Sequence, residues 1–218
     1  MRWLLFALSI PALAQTGNDW RIVPGERVGP ITAATTRADL SRLFQGAPAK
    51  DDEIELAEGV LEPATHIADL AIVWSGKSAD AHPSRIFICR GRRRTSCQWQ
   101  TSDKITLGVR LDRLEQLNGR PFSISGFGFD YGGNVLSWNG GKLARLDCGP
   151  RLVLTLDGDR GRDGRLTLDL TPDERHSITG DKPVASDTPA MRKVNPSVTE
   201  MVFQFAGLSQ DVPPCPAR

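Results

Sequence analysis

The sequence predicts an α+β protein made of two tandem helix-plus-antiparallel-meander units, completed by a C-terminal hairpin and strand. Three observations predict this class. Ile105 to Leu146 reads as a short amphipathic helix followed by glycine-punctuated strands. A similar stretch begins at Ile31, and the 21 glycines and 15 prolines favour many short strands over long helices.

Taken in order, Arg2 supplies a positive start, Trp3 to Ile10 an apolar run and Ala12-Leu13-Ala14 a small-x-small cleavage site. This is the pattern of a secretory signal peptide, too short to span a bilayer. The expected organisation is a signal peptide over 1–14, a first unit over 15–101 and a second over 102–218, with the mature chain starting at Gln15. Because Gln15 and not Cys follows the site, no lipid anchor is implied, and a soluble periplasmic or secreted protein is expected.

In the first unit Thr36 is the expected N-cap, with Asp39 three residues on, and Leu40, Leu43 and Phe44 form the buried stripe. Glu53 to Leu56, Leu70 to Trp74 and Arg85 to Cys89 read as strands, with Gln98 to Thr101 as a further candidate. In the second unit Leu111, Leu114 and Leu117 form the stripe, Asn118-Gly119 stops the helix and Pro121 forbids its continuation. Phe122 and Ile124 then alternate with serines, whereas Phe127 and Phe129 have the opposite parity, so a bulge is expected at Gly126. Tyr131 to Asn134 and Asn139 to Gly141 are the turns, joining strands at Val135 to Trp138 and Lys142 to Leu146, and Phe127, Phe129, Leu136 and Trp138 are expected to cover the helix.

The two helical stretches align. Ile31 falls on Ile105, Leu40 on Leu114 and Leu43 on Leu117, and after one inserted residue Gly46 falls on Gly119 and Pro48 on Pro121. The period of roughly 74 residues indicates a duplication and not a solenoid. Beyond it, Leu152 to Leu156 and Leu166 to Leu170 flank a polar turn as a hairpin, Thr171 to Pro196 reads as a long loop, and Val198 to Phe205 alternates as a strand with one buried face.

Four cysteines in an exported chain are expected to be bridged. Three connectivities exist; Cys89 with Cys97 and Cys148 with Cys215 is the preferred one, the local loop contributing about 2.6 kcal/mol and the long one about 4.4 on a chain-entropy argument. No pair has C-x-x-C spacing and no histidine is near in sequence, so no zinc site is expected. The signal peptide removes Arg2 and no acid from a chain with 27 Lys and Arg against 26 Asp and Glu, so the mature charge balances. A balanced chain has no global attraction to nucleic acid or anionic membrane.

The pattern VGPIT, DL..LF.G, ITLG..L..LE.LNG.PF, GFGFDYGG and NPSV resembles an uncharacterised family of secreted bacterial proteins over most of the mature chain. More remotely, the helix-then-meander plan is similar to the β-lactamase inhibitory protein and to small lipoproteins of the outer-membrane assembly machinery. What this resemblance implies is a protein-binding module without catalysis, although the lipoproteins' anchoring cysteine is absent and none of their binding residues can be matched.

Groups suited to acid–base chemistry are few. His66, His82 and His176 lie beside loop-like sequence near prolines, without metal-binding spacing, and no G-x-S-x-G elbow marks a nucleophile. Asp157, Asp159 and Asp163 suggest a calcium loop, but in the frame from Asp159 the third position is Gly161 and the twelfth Leu170, so a polar hairpin tip is expected. The acidic run Asp51-Asp52-Glu53 with Glu55 reads as a solvated strand edge. Neither a cofactor nor a metal is expected.

Two binding candidates remain. Tyr131, between Asp130 and two glycines, is the aromatic expected to be exposed, and with Trp138 it marks a meander surface for a protein or peptide of the envelope or extracellular space. Arg90-Gly91-Arg92-Arg93-Arg94 lies between Cys89 and Cys97, where a bridged loop would present several guanidinium groups to an anion or acidic glycan. The leading expectation is a non-enzymatic exported binding protein; an envelope hydrolase of unrecognised type is the alternative of another class.

Overall fold

The computed structural model describes residues 19–91, 96–159 and 169–205. Among these, strands β1 (Ile22–Val23), β2 (Arg27–Val28) and β3 (Ile31–Thr32) form a small antiparallel sheet. A 3-10 turn, Arg37–Asp39, leads into α1 (Leu40–Leu43). The Thr36 backbone N–H and hydroxyl both donate to Asp39 Oδ2, at 2.9 and 2.8 Å, closing the expected cap.

The first meander is β4 (Lys50–Ala57), β5 (Val60–Ile67), β6 (Leu70–Trp74) and β7 (Pro83–Ile88). The sequence reading lacked β5, whose Pro63 and charged neighbours hide the alternation. Every residue of β6 is buried, which is why LAIVW is uninterrupted by a polar residue.

The second half begins with α2 (Leu111–Asn118), followed by β8 (Ser123–Ser125) and β9 (Val135–Ser137). Lys142–Leu146 is a 3-10 helix and not the expected strand, because Leu143 and Leu146 are three apart and both buried, a helical spacing. β10 (Arg151–Asp157) follows. Thr171 to Pro196 is not a loop: it holds α3 (Pro172–Ser177), β11 (Pro183–Ala185) and α4 (Pro189–Val194). Three of the prolines that suggested a loop start these elements. Pro172 and Pro189 open helices, where the missing N–H is harmless, and Pro183 opens a sheet-edge strand.

The final strand, β12 (Ser197–Gln204), corresponds to the predicted C-terminal strand. It lies between β7 and β10, giving a six-stranded antiparallel sheet in the order β10-β12-β7-β6-β5-β4. The main sheet therefore crosses the sequence boundary at 101/102, through the ladder pairing Met201 with Ile88 and Gln204 with Arg85. The second meander instead forms its own sheet, β11-β8-β9. Where a hairpin was expected, β10 pairs with β12; most of the proposed second arm lies outside the described residues, and Asp169 and Leu170 are not in a strand.

The register shift in the second meander lies between Ser123 and Ile124, not at Gly126. Gly126 answers a different need: a Cβ there would sit 2.5 Å from the Gly180 carbonyl oxygen. Gln98 to Thr101 contributes only an isolated bridge between Gln100 and Arg21. The main core lies on one face of the large sheet and includes Ile72, Ile86, Leu154, Met201 and Phe203 with Leu111 and Leu114 of α2. A second cluster on the other face, Ile54, Ala64, Ala71, Val73, Phe87 and Val202, consists of sheet residues alone.

Candidate functional site

The loop between β8 and β9 is fixed from several directions. The Phe127 N–H donates to the Ile178 carbonyl at 2.8 Å and the Gly180 N–H to the Phe127 carbonyl at 3.1 Å. Ser125 Oγ donates to the Tyr131 carbonyl at 2.5 Å and accepts from the Asn134 N–H at 3.0 Å. Gly133, at φ +82°, hydrogen-bonds Ser125 and β10 through its N–H and carbonyl, and any side chain there would overlap the Leu156 carbonyl. Within this frame Tyr131 adopts φ 62°, a sparsely populated conformation for a non-glycine residue, maintained by its tethered carbonyl.

The loop buries one aromatic and displays two. Phe127 is buried, whereas Phe129 is 60% exposed and Tyr131 77% exposed, with Asp130 exposed between them and Leu136 exposed on β9. Tyr131 thus stands where the sequence reading put it. Trp138 does not: it is 1% exposed, packed on Phe122 at 4.8 Å between ring centroids, and belongs to the core. Phe129 and Leu136 reverse in the other direction, since both were assigned to covering the helix and both face solvent.

Cys89 and Cys97 are disulfide-bonded. Cys148 is also in a disulfide, whose other half, like Cys215, lies outside the described residues. Arg92, Arg93 and Arg94 lie outside them too, as do residues 160–168 of the calcium-like stretch and the proposed signal peptide. Arg90 is described, and its guanidinium carbon stands 4.7 Å from the centroid of the Phe87 ring.

That contact draws in the sheet face opposite the main core. The strand register sets Arg151, Gln204, Arg85, Val73, Ala64 and Asp52 side by side, and next to them Val153, Val202, Phe87, Ala71, His66 and Lys50. Among the described residues Arg85 and Arg90 have no carboxylate partner, and Arg85 Nε is buried without a hydrogen bond. Arg151 Nε donates to Gln204 Oε1 at 2.7 Å, orienting it along the row. Two depressions, of about 350 and 560 Å³, adjoin here and share His66 and Arg90 in their walls. Sequence reasoning missed Arg85 and Arg151; the signal for Arg85 was the alternation of Arg85 and Phe87 against Ile86 and Ile88.

The histidines are dispersed. His66 Nε2 is 3.8 Å from Asp52 Oδ2, beyond hydrogen-bond reach; the His82 ring contacts the Thr35 carbonyl, and His176 is exposed on α3. The acidic run lies on β4, at the edge of the sheet, where charge discourages pairing with another chain. Hydrogen bonds from Thr65 and Arg37 lower the Asp51 pKa, and those from the Glu53 backbone with the Lys50 charge lower that of Asp52. Among the described residues no helix is long and apolar enough to cross a membrane, and no three His, Cys, Asp or Glu side chains are grouped to hold a metal.

No protein-family model and no curated protein matches the chain. Among solved structures, that of the uncharacterised protein yfeY from Escherichia coli is similar, with 14% sequence identity and a TM-score of 0.44 over 84% of this chain and 98% of that one. A likeness of this size carries no argument about function.

Proposed function

We propose that this chain is an exported, non-enzymatic binding protein that recognises a protein or peptide through the loop between β8 and β9, with Phe129 and Tyr131 as its anchors. The supporting observation is a pair of aromatic side chains, 60% and 77% exposed, on a backbone already fixed by hydrogen bonds. Aromatics offer large contact area with few rotors, and a pre-ordered loop loses little entropy on binding. The helix-then-meander resemblance to protein-binding modules favours the same reading. Export is supported by the apolar run before Ala12-Leu13-Ala14 and by the Cys89–Cys97 bridge.

The test uses the mature, oxidised chain to capture partners from envelope extract, followed by affinity measurement with the purified partner. Phe129→Ala and Tyr131→Ala are each expected to weaken binding by about 2 kcal/mol, the scale of an aromatic hot spot. Unchanged affinity in both variants would remove the loop from the interface. A second reading, binding of an anion or acidic glycan beside the Cys89–Cys97 loop, is favoured by Arg90, which lies over Phe87 and has no carboxylate partner among the described residues.

A further inference from the structure

We propose that Asn139 is a site of non-enzymatic deamidation, at which this chain forms an isoaspartyl linkage, and that the fold protects Asn118 in the same dipeptide. Both residues precede glycine, in Asn118-Gly119 and Asn139-Gly140. An Asn-Gly pair is prone to this reaction because the glycine nitrogen, unhindered by a side chain, can attack the asparagine Cγ. Among the other described asparagines, Asn134 precedes the β-branched Val135, and Asn195 precedes Pro196, which has no N–H to lose.

The two pairs differ at both reacting atoms. The Gly119 N–H donates to the Glu115 carbonyl at 2.8 Å, so the first nucleophile is tied into the end of α2. Its target, the Asn118 amide, is buried and held by the Arg120 and Trp138 carbonyls and the Leu143 N–H at 2.9, 3.0 and 3.1 Å. Reaction there must wait for the helix end to open. Asn139 and Gly140 are instead both exposed, in the turn that follows β9. Among the described residues the Gly140 N–H has no hydrogen-bond partner. The Asn139 amide makes only longer contacts, from Nδ2 to the Pro121 carbonyl at 3.2 Å and from the Ser123 hydroxyl to Oδ1 at 3.4 Å. A Cβ at Gly140 would meet only the end of the Arg120 side chain, so little packs against the backbone rotation that brings the Gly140 nitrogen onto Cγ.

Arg120 favours the step. Its Nη1 donates to the Asn139 carbonyl at 2.8 Å, and that oxygen shares a peptide unit with the Gly140 nitrogen. When hydroxide removes the Gly140 proton, the negative charge is therefore delocalised onto an oxygen held by a guanidinium. The nitrogen bonds to Cγ, the Cγ–Nδ2 bond breaks, and the amide group takes a proton from water and leaves as ammonia. Water then opens the succinimide at Cγ, giving aspartate, or at the backbone carbonyl carbon, giving isoaspartate. Either product adds a negative charge to the turn, and isoaspartate lengthens its backbone by a methylene.

The experiment holds the full mature, oxidised protein in mildly alkaline buffer and follows the replacement of NH2 by OH at each asparagine by peptide mass spectrometry. Labelling with an isoaspartyl methyltransferase counts the isoaspartate formed. In the native protein Asn139 should react at least about tenfold faster than Asn118, and in urea with the disulfides reduced the two rates should come within about threefold. Arg120→Gln should slow Asn139 in the native protein at least about threefold and leave its rate in urea unchanged, while Arg120→Lys recovers part of the loss. Equal rates for the two asparagines in the native protein, or reaction at Asn139 only after unfolding, would overturn the proposal. An unchanged or faster native rate in Arg120→Gln would overturn the role given to Arg120.

Discussion

Asn118 shows how one side chain can organise half a fold. It is 1% exposed; its Nδ2 donates to the Arg120 and Trp138 carbonyls at 2.9 and 3.0 Å, and its Oδ1 accepts the Leu143 N–H at 3.1 Å. The amide therefore joins the end of α2 to the residues around β9 and the 3-10 helix. Asn118→Ala leaves all three backbone groups without that partner, and urea denaturation should show a loss of about 2–4 kcal/mol. Asp147 is a second residue with a measurable consequence. Burial pushes its carboxyl up to about 6, against the lowering effect of Arg151 and of the Trp138 indole, whose N–H lies nearby without closing a well-formed hydrogen bond. The folded state thus binds this proton more tightly than the unfolded state, with its ordinary value near 3.8. The resulting stabilisation is complete below that value and is lost as pH rises through about 6. Asp147→Asn should consequently raise the melting temperature at pH 7.5 more than at pH 4, and equal shifts at both would exclude this origin.

Among the elements, β12 is the one on which the large sheet depends. Its N-terminal neighbours are short helices, yet it pairs with β10 on one side and with β7 on the other. Met201 on β12 is fully buried, opposite Leu154 and Ile88. Met201→Ala should lower stability by about 3 kcal/mol, measured by chemical denaturation, because the cavity opens between strands that cannot collapse together. Element identity was largely legible where periodicity was clean: β6 has the predicted bounds, α2 carries the predicted stripe, and β12 differs from its prediction by one residue at each end. It was illegible where one residue type has two uses. Pro172 and Pro189 read as breakers but start helices, and Lys142 to Leu146 has too few residues to distinguish a strand from a 3-10 turn.

For the whole molecule, the apolar alternation and the turn residues were sufficient to determine an α+β protein rich in antiparallel strands and the helix after Arg110, while the short cysteine spacing only favoured the Cys89–Cys97 bridge that the structure shows. These are local properties, set by backbone preference and by which face each side chain takes. Tertiary structure decided that β12 enters between β7 and β10, because ladder hydrogen bonds are made by the backbone and do not name their partner. It also decided which aromatics form a surface: Trp138 packs on Phe122, while Phe129 lies on a loop tied down by Ser125 and Gly133 and is left in solvent. Burial of a given aromatic depends on what packs over it, and here that includes residues more than forty positions away in the chain, such as Ile178 and Gly180 holding Phe127. The same holds for Arg151 and Arg85, which become neighbours across a third strand only once the sheet is assembled.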